Sequence, residues 1–570
     1  MFRLEQTRHS DLVWSFWIGL GTILGLLQVW HLHWPINSCA FWIILLAGLT
    51  LCLRAPAPLC ASAARIPRWQ RGTFLIGLFV AAFWLADRGA GPDAFYDAGL
   101  YQIAAVKWAS QYAIVPGLAN LHLRFGFTSS ITLLAATMNR GPWAGNGSHL
   151  LNGFFLLSLT AMVLRGALGV LADGAQRRPD QWLLMFAAVA VVEWGLDIQA
   201  SSYSTDIAPM VLCIVAAACF LQSRAAVDEP NRQLFQVFAC CTLCAMAIST
   251  KASAIPFAAP LAVGSLLPIF AAGSSVLHRA ARTAAATAPL FFIVGVWLLR
   301  QIILTGYPLF PSTLLPVSVD WRIARPDLVT TQQVMLDYAR IGKKLDTSHD
   351  HSWVSRWIQI RVFRVWNIWK GLIPFCLGST LLVVAAFLWR RRGRVDAPWG
   401  AMAWVLFCTA LAMVMWFHSA PDPRYVSQLF YLWFAAGASL VAVRLGTENA
   451  WRRVLPVALS AAVALGPVAS QLWAIGSMRQ IMDVVWVPPD PVTGGFAPAP
   501  TQPRLRKEII PPGVVLYVPP EGSNQVWDAP LPNSPHLDAA LRLRHPPDLQ
   551  GGFRLPPQPP GAPGVLDTRL

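Results

Sequence analysis

Over its first 475 positions the chain alternates between apolar blocks of about 16–24 residues and polar connections, most of them short. A helix needs roughly 20 apolar residues to cross the hydrocarbon core of a bilayer. The blocks therefore predict membrane-crossing helices near 12–30, 38–55, 72–87, 149–172, 181–196, 207–223, 233–249, 254–272, 284–304, 371–389, 399–418, 425–444 and 453–475. Two stretches break the rhythm. TSSITLLAATM, from Thr128, is apolar but too short to span, and is expected as an interfacial or re-entrant helix. From Asp97 to Tyr112, Leu100, Ala104, Trp108 and Tyr112 recur at helical spacing with Lys107 on another face. That pattern predicts a helix lying in the interface, where Trp and Tyr rings are favoured.

The expected organisation follows. Residues 1–87 hold the first spans, 88–148 a large loop with interfacial helices, and 149–304 a transmembrane core. A second large loop covers 305–370, further spans 371–475, and a Pro-rich tail or small domain 476–570. The fold class is an all-α polytopic membrane protein with about thirteen spans.

Composition agrees: 55% of the 570 residues are hydrophobic and only 13% are charged, where a soluble chain carries roughly 25%. A net charge of +16 raises nucleic acid as a partner. The distribution of the arginines argues against it. Arg54, Arg65, Arg68 and Arg71, then Arg177 and Arg178, Arg224 and Arg232, Arg279 and Arg282, Arg390 to Arg392, and Arg444, Arg452 and Arg453 fall in alternate loops. This is the positive-inside pattern. It predicts a cytoplasmic N-terminus and, with thirteen spans, a periplasmic C-terminus. The ten cysteines fall in or near apolar segments, without zinc spacing or a disulfide framework. Neither a nucleotide-binding fingerprint nor an internal repeat is present.

The same loop parity gathers the residues with chemical character on one side. GPDAFYDAGLYQ supplies Asp93, Asp97 and Tyr101, and NLHLRFGF supplies His122 and Arg124. SSYSTD supplies Asp206, AISTK supplies Lys251, and GYPLFPSTLLPVSVDW supplies Tyr307 and Asp320. APDPRY supplies Asp422 and Arg424. Each has a plain structural alternative. Asp97 and Asp206 both precede predicted helices, so each is a general base or ligand-positioning group, or else an N-cap. Asp93 follows Gly91-Pro92 and also suits a turn. Arg124, two residues from His122, suits phosphate clamping or snorkelling. Lys251 interrupts an apolar stretch, where a lysine is usually functional or paired. Asp422 is placed to neutralise Arg424. His349 and His351 flank Asp350 in a polar loop that reads as solvated rather than metal-binding.

YDAGLY, the amphipathic run behind it and the parity of the loop resemble the GT-C glycosyltransferases. These are multi-spanning enzymes that use polyprenyl-phosphate sugars. YDAGLYQIAAVKW, VPGLANLHLRFGFTSS, SSYSTD, GYPLFPS, APDPRY and the tail stretch VWDAPLPNSPHL look like a family of uncharacterised bacterial membrane proteins. The GT-C loop usually carries two adjacent acids, whereas here Asp97 is followed by Ala98. Two spans also precede the span that leads into the loop. The resemblance implies a bacterial inner-membrane enzyme that moves a sugar from a polyprenyl-phosphate donor to a periplasmic acceptor: a cell-envelope glycan, lipid or protein. Asp97, with Asp93, would be catalytic. Tyr101, His122, Arg124, Asp206, Lys251, Tyr307, Asp320 and Arg424 would bind substrate. No metal ligand is assigned, and a divalent cation is the one cofactor left open. Two other readings are a transporter or flippase of lipid-linked saccharides, and a non-catalytic envelope-assembly protein.

Overall fold

The computed structural model describes residues 9–54, 67–173, 178–226, 229–271, 275–342, 353–363, 368–390, 397–445, 450–475, 487, 497–498, 500–502, 504–511 and 513–556. Among them, ten helices are long and apolar enough to cross a membrane. These are Leu12–His31, Arg68–Gly89, Gly147–Ala172, Ile207–Ala225, Pro230–Thr250, Ala252–Phe270, Val276–Thr305, Ile368–Arg390, Trp399–Ser419 and Ser427–Leu445. They fall on ten of the expected blocks. The remaining three blocks are helical but different in kind. Ser38–Arg54 has 17 residues. The block at 181–196 is two helices, Pro179–Phe186 and Ala188–Leu196, hinged at Ala187. There the Ala187 N–H meets the carbonyls of both Leu183 and Leu184, at 3.0 and 3.1 Å. Ala450–Ile475 carries Pro456 and Pro467 in its interior.

Burial sorts the helices. Ile207–Ala225 and Pro230–Thr250 have 94% and 89% of their apolar windows buried, whereas Arg68–Gly89 has 11%. The first two are the centre. Their contact is built from Ala216, Ala217, Ala218, Cys219, Cys240, Cys241 and Cys244, nearly all at zero exposure. Small side chains let helix axes approach closely where lipid supplies no hydrophobic drive. The described cysteines are free thiols. The outer helices instead turn Leu45, Leu46, Leu49, Leu75, Ile76 and Phe79 outward. A broad apolar surface of this kind belongs against lipid. The chain is a mostly helical, membrane-embedded protein.

Helix polarity sorts the charges. Asp206 immediately precedes Ile207–Ala225, and Arg224 lies in that helix's last turn. Arg232 opens Pro230–Thr250, and Lys251 caps its C-terminus. The arginine-rich ends therefore lie opposite the end that holds Asp206 and Lys251.

The loop around Asp97 departs from expectation. Its interfacial helix is a π-helical turn, Ala98–Gln102, continued by the α-helix Ile103–Gln111. Trp108 is 3% exposed and Leu100 is 6% exposed, so neither ring nor chain lies open at an interface. The Thr128 segment forms Ser130–Met138, with Ile131, Leu133, Ala135 and Ala136 at zero exposure. It is packed inside the bundle.

The covering layer is the described part of the tail, in which no helix occurs. It forms two antiparallel hairpins: β1 Arg506–Ile510 with β2 Val514–Val518, and β3 Arg542–His545 with β4 Asp548–Arg554. Leu516, Val518, Leu543 and Phe553 share one core with Ala104, Trp108, Val115 and Leu118. The described tail is thus an extension of the 88–148 loop rather than a separate unit. Two close approaches fix it. Gly99 O accepts the N–H groups of Val526 and Trp527 at 2.8 and 2.9 Å. A Cβ on Gly99 would sit 2.2 Å from Gln525 Oε1 and 2.5 Å from the Trp527 ring. Gly117, at φ +66°, passes under the Phe553 carbonyl, a conformation that glycine adopts without strain. Lys107 Nζ pairs with Asp528 at 2.7 Å and bonds the Ala529 carbonyl at 3.0 Å.

Candidate functional site

Asp97 sits at the N-cap position of the π turn, yet its side chain makes no cap bond. Its Oδ2 instead accepts from Arg424 Nη2 at 2.9 Å. Asp206 behaves alike. It precedes Ile207–Ala225 without capping it. Its Oδ1 takes the Lys251 ammonium, and its Oδ2 lies 3.4 Å from Arg424 Nε. Four residues from four separate loops thus form one chain of charges: Asp97, Arg424, Asp206 and Lys251.

Aromatic rings hold the cations from the sides. Arg424 lies over Phe95 and Tyr425, at 5.2 and 5.1 Å from the ring centroids, and Lys251 lies over Tyr425 at 4.8 Å. A cation on a ring face gains electrostatic attraction at the site of desolvation. Burial pushes the Asp206 carboxyl up, but Lys251 and Arg424 more than offset this and leave it below the usual carboxylate range. Burial alone would lower Arg424, while Asp206, Tyr425 and Asp97 carry it well above its ordinary value. Both groups are held charged.

The turn that presents Arg424 is itself built. Asp422 Oδ1 accepts the Arg424 backbone N–H at 3.0 Å, and its Oδ2 pairs with Arg361 Nη1 at 2.8 Å. Asp422 is therefore a partner of Arg361, not the neutraliser of the Arg424 guanidinium that its position in the sequence suggests. Trp416 Nε1 reaches the Asp422 carbonyl at 2.9 Å, and Trp357 Nε1 bonds the Pro421 carbonyl.

A second ion cluster was not legible as such. Lys370 pairs with Asp197 and lies 3.8 Å from Glu193 Oε1, and Tyr431 Oη donates to Glu193 Oε2 at 3.1 Å. Burial raises the Asp197 carboxyl, and Lys370 brings it back below the usual range. Arg88 fixes the adjoining corner by bonding the carbonyls of Gly195 and Leu196 at 3.1 and 3.2 Å. Lys370 directly precedes the apolar block at 371 and reads there as a flanking lysine.

Beside Arg424 an apolar groove of about 350 Å³ opens between the Ile368–Arg390, Ala397–Ser419 and Ser427–Leu445 helices. Trp357, Phe375, Trp416, Phe417, Pro423 and Phe430 line it. Pro423, one residue from Arg424, joins the groove to the charge cluster. Its volume is within the range of ligand pockets, about 300–1,000 Å³.

The other expected residues are distributed as follows. Asp93 is buried in its turn, with Oδ1 accepting the Phe95 N–H at 3.3 Å and Oδ2 without a partner among the described residues. Burial pushes its carboxyl up to about 7. His122 does not make a phosphate clamp with Arg124. Its ring is buried edge-on against Phe125 at 5.6 Å, and burial, with Arg124 and His536, holds it well below the usual imidazole range. A neutral ring adds no cation. Arg124 lies over Phe127 at 5.8 Å, and with Tyr101 it lines a second, small cavity. Burial raises the Tyr101 hydroxyl's pKa. Tyr307 Oη donates to the Ile323 carbonyl at 3.1 Å inside an apolar cluster with Phe310 and Leu328, and so holds its loop. Asp320 bonds Arg544 Nε at 2.9 Å and lies 3.8 Å from Arg554, so it ties the second loop to the tail. His349 and His351 lie outside the described residues. No cluster of three or more metal-ligating side chains occurs among the described residues.

A family model described as a domain of unknown function (DUF8201) matches residues 2–431. The chain belongs to that family. The matched region holds all four members of the charge chain and every residue lining the apolar groove. No curated protein and no solved structure matches the chain.

Proposed function

We propose that this protein is a GT-C-like glycosyltransferase of the bacterial inner membrane, with about thirteen spans, its N-terminus in the cytoplasm and its site on the periplasmic face. It transfers a sugar from a polyprenyl-phosphate donor to a hydroxyl of an envelope glycan or lipid. The observation that carries this reading is the junction of an apolar groove with a charge chain at Pro423-Arg424. A lipid-linked phosphate has that same division: a hydrocarbon chain, then an anion, then the reacting carbon.

In the free protein Arg424 is occupied by Asp97 and Asp206. A donor phosphate competes for its donor fork, with Lys251 beside it. That exchange frees the Asp97 carboxylate at the mouth of the site. Asp97 accepts the proton of the acceptor hydroxyl, and the acceptor oxygen attacks the anomeric carbon. The carbon–oxygen bond to phosphate breaks and its electron pair leaves on the phosphate. Arg424 and Lys251 stabilise the charge as it develops. One carboxylate suffices for this role, so Ala98 in place of a second acid is compatible with it. Lys370, Asp197 and Glu193 hold the neighbouring corner rigid.

The test is incubation of the purified full chain with polyprenyl-phosphate sugars labelled in the sugar, with envelope extract as acceptor. Time-dependent release of polyprenyl phosphate with label moving to the acceptor supports the reading. Labelled donor that crosses a vesicle bilayer intact, without cleavage, would replace it with the transporter reading.

A further inference from the structure

Behind the charge chain lies a separate cavity of about 60 Å³, against which Arg300 is packed. Arg300 belongs to the Val276–Thr305 helix, about one turn from its end. It is only 3% exposed. Its Nη2 reaches Thr128 Oγ1 at 3.3 Å, but Nε and Nη1 have no partner among the described residues. Among the described residues no carboxylate pairs with it, and none lines the cavity. A buried charge normally has a partner, because removal from water is costly.

The rest of the lining is mostly apolar and holds one further charged side chain. Arg124 supplies a second guanidinium and His31 an imidazole. Ser129 Oγ also lacks a partner among the described residues, as does the indole N–H of Trp108, another lining residue. Thr205, next to Asp206, and Gln102, at the end of the π turn that Asp97 starts, form the wall toward the charge chain. Two guanidinium-bearing side chains and a serine thus line a space of about 60 Å³. Three terminal oxygens of a tetrahedral anion match such a set better than the two of a carboxylate.

We infer that this cavity is a second anion site, distinct from the groove beside Arg424, which takes a phosphate group through Arg300 and Arg124. The group belongs either to a small phosphate ester or to a lipid headgroup. This rests on the transfer reading above, in which a transferase with one phosphate at Arg424 and another here holds two phosphorylated substrates.

The experiment is equilibrium binding of radiolabelled inorganic phosphate to the purified full chain in detergent. Wild type is compared with Arg300→Gln and Arg124→Gln. Saturable binding is expected in wild type. It should weaken by at least about tenfold in Arg300→Gln, the scale of a lost hydrogen bond to a charged group. Arg124 is partly exposed, so Arg124→Gln keeps the fold and should weaken binding in the same direction. Competition by dihexanoyl phosphatidic acid would make the headgroup the source of the phosphate, and lack of competition would make it a soluble ester. Absence of saturable binding to wild type, or unchanged binding in Arg124→Gln together with unchanged or unmeasurable Arg300→Gln, would overturn the site.

Discussion

Arg424 Nη2 donates to Asp97 Oδ2 at 2.9 Å across 327 positions of sequence. That bond joins the turn at the head of the Ser427–Leu445 helix to the π turn of the first large loop. It also makes Asp97 a carboxylate whose availability depends on what else Arg424 holds. Arg424→Lys keeps the charge but loses the fork that serves Asp97 and Asp206 together. A lysine presents one ammonium, so transfer should fall by about 10²-fold or more, the scale of a lost electrostatic stabiliser. The folded state should survive. Initial rates with saturating donor, beside the thermal midpoint of the same preparations, check this.

Asp206 is almost fully buried, and its strongest partner is Lys251. Lys251→Met leaves the carboxylate with Arg424 alone. A loss of about 3 kcal/mol is expected, at the low end for breaking a buried pair. The double variant Lys251→Met, Asp206→Asn should recover part of that stability while remaining inactive. Denaturant titration of the single and double variants measures both.

Asp93 gives a pH signature. Its folded carboxyl titrates near 7, above the value of about 3.9 in an unfolded chain. Between those values the folded state binds the extra proton, so this group's contribution to stability falls as pH rises from about 4 to about 7. Asp93→Asn removes the titration. The variant should be more stable than wild type at pH 7, and the difference should vanish near pH 4. Thermal midpoints of both proteins across that range test the sign.

The tail should act on Asp97 through Gly99. A methyl at that position has no space beside Gln525 and Trp527. Gly99→Ala should loosen the tail, seen as faster proteolytic clipping beyond residue 497, and should lower transfer without altering the helical content.

These relations mark what could be read from the sequence. Periodicity and loop charge found the helices, because bilayer thickness sets a length that a run of apolar residues reports directly. They also gathered Asp97, Asp206, Lys251 and Arg424 on one side. They could not say which acid meets which base. Asp422 stands two positions from Arg424 but pairs with Arg361, and Lys370 reads as a flanking lysine until Asp197 is seen beside it. The run Asp97–Tyr112 has the spacing of an interfacial helix. Its apolar face is real, but the tail rather than the interface covers it, and hairpins contributed from 400 residues away leave no trace in local spacing. Arg300 lies inside an apolar block that tolerates one charge in a count of residues, so its isolation is visible only in three dimensions.

The most direct measurement is the turnover of Asp97→Asn with a polyprenyl-phosphate sugar. Asparagine keeps the shape and a hydrogen bond for Arg424 but cannot take the acceptor's proton. The account predicts a fall in kcat of about 10²–10⁴-fold, the contribution of a general base, with little change in the KM for donor. Full turnover in Asp97→Asn would contradict it.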